Sequence, residues 1–118
     1  MCGIPAYLAR GTRGSEDDVD PARSTREEFY PKGRQGGVAV RVQTDHSRGG
    51  RLLRYSLTLI DTHRTGIDDG RVIGYDNAHG HHHRHCFGEV EPIELESYES
   101  IEKRFEAEVR KYLESGEV

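Results

Sequence analysis

The segment RLLRYSLTLID, residues 51–61, constrains the fold more than any other. Leu53, Tyr55, Leu57 and Leu59 alternate with Arg54, Ser56 and Thr58, and successive side chains of a strand point to opposite faces. One face is therefore apolar and the other polar, as in a strand packed on one side and wet on the other. Val38, Val40 and Val42, alternating with Ala39, Arg41 and Gln43, repeat the pattern just upstream. DHSRGG supplies the turn between the two. DTHRTGIDDG is a polar connection, and RVIGYDN, residues 71–77, reads as a third strand ending where Asp76 and Asn77 favour a turn.

The period changes after Glu91-Pro92 and a short extended IELE. In SYESIEKRFEAEVRKYLESG, Tyr98, Ile101, Phe105, Val109 and Tyr112 recur at three- and four-residue steps, which places one apolar stripe along a helix. Ser97 is suited to cap its start and Gly116 to stop it, with Glu99 and Arg110-Lys111 matched to the ends of its dipole. Strands in succession followed by a helix predict an α+β fold, in which the helix covers the apolar face of an antiparallel sheet of about four strands.

A chain of 118 residues supports one domain with a modest core. Residues 1–36 are expected to be a loosely structured N-terminal arm, partly disordered or ordered by a partner. Residues 37–118 are expected to form the single α+β domain. Over residues 9–37 apolar side chains follow neither the helical nor the strand period, apart from a short helix expected over Thr25–Tyr30 with Ser24 or Thr25 as cap. No apolar run has membrane-spanning length and the beginning does not read as a signal peptide, so a cytoplasmic location and no membrane partner are expected. Cys2 and Cys86 are too few and too badly spaced for a disulfide scaffold. The net charge of -4 is unevenly spread: Gly88–Val118 holds ten acids and four bases, whereas residues 1–87 hold 13 bases, 11 acids and all seven histidines. An anion would meet the first part.

Residues 79–85 read HGHHHRH, with five histidines in seven positions. As a strand, this run turns His81, His83, His85 and Phe87 to one side and His82, Arg84 and Cys86 to the other. Three readings follow. As a metal site, His81, His83 and His85 offer imidazole nitrogens to zinc or another divalent transition metal, with Asp76 and Glu89 as further ligand candidates. As an acid-base site without cofactor, two imidazoles serve RNA cleavage, one taking the proton of the 2′-hydroxyl and one protonating the leaving oxygen. Arg84 would hold the phosphate, provided that the strand ends or bulges so that Arg84 joins its neighbours. As plain surface, the run is a solvated edge without chemistry.

The stretch GYDNAHGHHHRHCFGEVEPIELESYESIEKRFEAEV resembles the TumE-like toxins of toxin–antitoxin modules: a strand ending in YDN, a variable turn, an HRH triplet, a glycine, an EP dipeptide and an amphipathic C-terminal helix. The resemblance spans roughly residues 37 to 113. It points to Tyr75, Asp76 and Asn77 in the first element and to His83, Arg84 and His85 in the second. It implies an endoribonuclease toxin, neutralised by a helix-turn-helix antitoxin of the TumA type. The roles of His83 and His85 as catalytic pair, with Arg84 on phosphate and Asp76 or Asn77 in support, come from histidine chemistry and the motif. The extra histidines of the turn keep the metal reading open, and a non-catalytic metal- or nucleic-acid-binding module is the rival.

The remaining candidates carry plainer readings beside the functional ones. Tyr75 is a stacking platform for an RNA base or a core residue, and Tyr55 is core, since it shares a face with three leucines. Arg54 and Arg71, like Arg41, Arg51 and Arg64, follow a phosphate backbone or are simply solvated. The acidic helix is a solvated face or the dock for a basic antitoxin. His46 and His63 fall in expected loops. Whether the chain forms a homodimer stays open.

Overall fold

A computed structural model describes residues 22–31, 37–94 and 97–117. They form a six-stranded antiparallel meander with the strands in sequence order, β1 (Arg23–Phe29), β2 (Val38–His46), β3 (Leu52–Asp61), β4 (Arg71–Asp76), β5 (His83–Cys86) and β6 (Glu89–Pro92), followed by α1 (Tyr98–Ser115). The predicted α+β class holds, with two strands more than expected. No helix among the described residues is long and apolar enough to cross a membrane.

The alternation in β2, β3 and β4 builds the core. Val38, Val40, Tyr55, Leu57, Leu59 and Tyr75 are buried on the side that meets Tyr98, Ile101, Phe105 and Tyr112 of α1. Tyr98 meets Tyr55 edge-on, and Phe105 meets Tyr75 likewise, at centroid distances of 5.3 Å and 6.1 Å. Burial of a large side chain of this kind stabilises by about 1.5–3 kcal/mol. The helix is capped as its sequence predicts: the Ser97 side chain accepts from the Ser100 N–H, and Gly116 closes the end at φ 77° with its N–H on the Tyr112 carbonyl. Among the described residues no α-helix covers the opposite face of the sheet, which an antiparallel sheet tolerates when that face is polar.

Three expectations change. The segment RSTREEF, placed in the arm with a short helix over Thr25–Tyr30, is strand β1, in register with β2 from Arg23↔His46 to Phe29↔Val40. Cross-strand pairs hold it: Thr25 Oγ1 lies 2.6 Å from Thr44 Oγ1, and Arg41 Nε donates to Glu28 at 2.5 Å. These contacts are non-local and outweigh weak local helix preference. His46 does not sit in a loop; it ends β2 and is buried. Phe87 leaves the face of the histidines, because β5 stops at Cys86. Phe87 and Gly88, at φ 47° and 88°, make a two-residue hairpin turn to β6, and the Phe87 ring packs toward Tyr112 under the Arg64 guanidinium. Residues 1–21, 32–36, 95, 96 and 118 lie outside the described residues, so most of the expected arm and the end of the IELE piece do too.

Candidate functional site

The hairpin of β4 and β5 divides the YDN and HRH motifs between the two faces of the sheet. Its register pairs Gly74 with His85, Tyr75 with Arg84 and Asp76 with His83. Strict alternation then sends Tyr75 and Arg84 beneath α1, and sends Asp76, His83 and His85 to the open face. No bulge interrupts the hairpin, so Arg84 does not join the histidines as the phosphate-contact reading requires.

On the open face, Asp76 is the centre. Its Oδ2 lies 2.8 Å from His85 Nε2, its Oδ1 accepts from the Ala78 N–H at 3.1 Å, and His83 Nδ1 stands 3.9 Å from the same Oδ1. The rings of His81, His83 and His85 form a row, with neighbouring centroids 6.2 and 6.4 Å apart. His81 is exposed, His83 keeps 26% of its side chain exposed and His85 only 13%. His85 Nδ1 is buried without a hydrogen-bond partner among the described residues. Beside Asp76 lies a recess of about 200 Å³, bordered by Gln43, Asp45, Arg54, Ser56 and Ala78. Arg54 is exposed there, with no ion pair or hydrogen bond to its guanidinium among the described residues. Arg71 reaches the same face across Gly74, where a Cβ would meet its Cδ at 2.9 Å, and is tied to Asp68 through two nitrogens at 2.8 and 3.3 Å.

The covered face is a structural network. Arg84 donates to Glu108 at 2.5 Å, to the Tyr75 hydroxyl at 3.1 Å and to Glu91 at 3.2 Å. The Tyr75 hydroxyl donates to Glu108 at 2.7 Å. Burial, and after it Glu108, pushes the Tyr75 phenol up to about 12. Burial opposes the charge on Arg84, but Glu108 and Tyr75 outweigh it and raise its pKa. Tyr75 is fully buried, so the stacking-platform reading falls and the core reading stands. His82 also turns inward, stacked on Tyr55 and 2.9 Å from its hydroxyl, where burial, with His83 and His81 adding to it, lowers its pKa. Asn77 spends its amide on β3, accepting from the Tyr55 N–H at 3.0 Å and donating to the Leu53 carbonyl at 3.1 Å. It extends the ladder by one rung and does not reach the histidines.

For the metal reading, the donor set is the test. Among the described residues no three histidine, cysteine, aspartate or glutamate side chains surround a common point, and the histidine row is extended rather than convergent. The residues present do not form a ready zinc site.

Sequence reasoning missed Glu108, the partner that fixes Arg84. Its signal was available: a glutamate three residues after Phe105 and four before Tyr112 flanks the buried stripe rather than the outer face.

Among the described residues these features define a small one-layer sheet backed by a single α-helix, with a carboxylate-centred histidine row on the face away from that helix. The chain belongs to the toxin TumE family, whose family model matches residues 9–113 of the 118. It is the toxin component of a toxin–antitoxin system, and an antitoxin partner goes with that membership. The match starts well before residue 37 and so takes in β1. No curated protein and no solved structure matches the chain.

Proposed function

We propose that this toxin cleaves RNA by metal-independent acid-base catalysis on the open face of the sheet. The observation that carries the reading is Asp76, within 2.8 Å of His85 and 3.9 Å of His83, at the edge of a recess that also holds Arg54. A carboxylate between two imidazoles aligns the rings by hydrogen bonding. His83, the more exposed of the pair, takes the proton of the 2′-hydroxyl, whose oxygen then attacks phosphorus. The bond from phosphorus to the 5′-oxygen breaks, and that oxygen receives a proton from His85. His85 can do so only after its ring turns toward the recess, since Asp76 holds one nitrogen and the other is buried; catalytic hydrogen bonds commonly form fully only with substrate bound. Arg54 meets the phosphate in place of Arg84, and Arg71 contacts the neighbouring backbone. The toxin acts in the cytoplasm, where its RNA substrate and an antitoxin of the helix-turn-helix type are found.

RNA cleavage by the purified toxin, measured with and without chelator, tests this reading. Cleavage that persists in chelator and disappears in His83→Ala supports it. Absence of cleavage, together with stoichiometric metal, favours the binding-module alternative and overturns it.

A further inference from the structure

Helix α1 lies over β3 and β4, so its footprint stops short of β1, every residue of which is exposed. Between α1 and the β1–β2 edge runs a groove of about 780 Å³. Phe29, Val40, Val42, Phe105, Val109 and Leu113 supply its apolar wall. One polar side chain in that wall lacks a partner among the described residues. His46 is 3% exposed, and both of its ring nitrogens are buried with no hydrogen-bond partner among the described residues. A neutral imidazole accepts at one nitrogen and donates from the other. It is therefore completed by one N–H and one carbonyl, the pair that a peptide backbone presents.

We propose that this groove is the docking site of the chain's own residues 1–9, MCGIPAYLA. That stretch carries no charged side chain and offers Met1, Ile4, Tyr7 and Leu8 as apolar anchors, whereas residues 10–21, RGTRGSEDDVDP, have the composition of a tether. The described chain begins at the groove: the Ala22 N–H donates to the His46 carbonyl at 2.8 Å, and Arg23 lines the wall. A twelve-residue tether reaches up to about 40 Å, more than the ~22 Å that α1 covers from Tyr98 to Leu113. Tethering raises the local concentration of the segment to the millimolar order, so modest contacts keep it in place. The family match begins at residue 9, so residues 1–8 lie ahead of the part that matches the family. The groove lies on the side of the sheet opposite the histidines, so the inference is independent of the proposed cleavage.

Disulfide trapping in the full chain tests it, since Cys2 is a native reporter. In a Cys86→Ser background, Glu106→Cys places a thiol on the exposed rim of the groove, and Lys111→Cys places one on the helix surface outside it. Mild oxidation is expected to link Cys2 to position 106 within one chain about tenfold faster than to position 111. Equal rates at the two positions overturn the proposal and leave the groove to a separate partner such as the antitoxin. Disulfide-linked dimers through position 106 overturn it in favour of a second copy. As a second readout, the full-chain double variant Ile4→Asp, Leu8→Asp is expected to bind more of the apolar dye anilinonaphthalenesulfonate, and unchanged dye fluorescence also overturns the proposal.

Discussion

The two faces of the β4–β5 hairpin use adjacent residues for opposite ends. Beneath the helix, Tyr75, Arg84 and Glu108 satisfy one another within 3.1 Å and leave nothing for a substrate. On the bare face, Asp76 holds His85 by a single short contact, has His83 at 3.9 Å, and borders the recess that Arg54 lines. A contiguous motif in a strand is thus two motifs. HRH is a histidine pair on one surface and an arginine clasp on the other, one residue apart.

The largest effect expected from breaking this division is on chemistry. His83→Ala should lower RNA cleavage by about 10²–10⁴-fold, the usual worth of a positioned proton carrier, with an unchanged thermal midpoint. A fall in midpoint that accounts for the lost activity would move His83 into the structural set. Next in size, Arg84→Ala leaves the Glu108 carboxylate without its cation, with the Tyr75 hydroxyl as its remaining donor, and should cost about 2–3 kcal/mol of stability by denaturant titration. A cost near zero would mean that the network beneath the helix is ornamental. Arg54→Ala removes an exposed guanidinium that holds up no other side chain among the described residues, so it should raise KM for RNA by roughly tenfold and leave stability alone.

How far this was readable in the sequence depends on whether a residue's neighbours are local. The helix, its Ser97 and Gly116 caps and the alternation of β2 to β4 are local patterns, and the structure follows them. Strand β1 has no buried face at all, hence no periodicity to read; only its register against β2 defines it. Of the site, Asp76 with His83 and His85 was legible because all three belong to one hairpin. The separation of Arg84 was legible as a rule of strand parity, with the lack of a bulge decided by tertiary structure. Glu108 and the recess around Arg54 depend on α1 and β3 meeting the hairpin from elsewhere in the chain.

The smallest effects expected are those of pH on stability. Burial, reinforced by Arg23 and opposed by Asp45, keeps His46 neutral and lowers its pKa from 6.5. The stability this contributes is complete above pH 6.5 and falls away as pH drops through the lowered value, so His46→Gln should flatten that acid limb. Tyr75 and Tyr112, both raised from 10.0 to about 12, give the opposite limb. Their contribution is intact below pH 10 and is lost as pH rises toward 12, and Tyr112→Phe should reduce that loss in alkaline denaturation.

The division of the HRH triplet is tested most directly by the cleavage rate per folded molecule of Arg84→Lys, measured in chelator beside His83→Ala. Lysine keeps a cation near Glu108 while giving up the guanidinium fork. A rate within about threefold of the parent is expected for Arg84→Lys, against near-complete loss for His83→Ala. An Arg84→Lys rate as low as that of His83→Ala, in protein that remains folded, would contradict it.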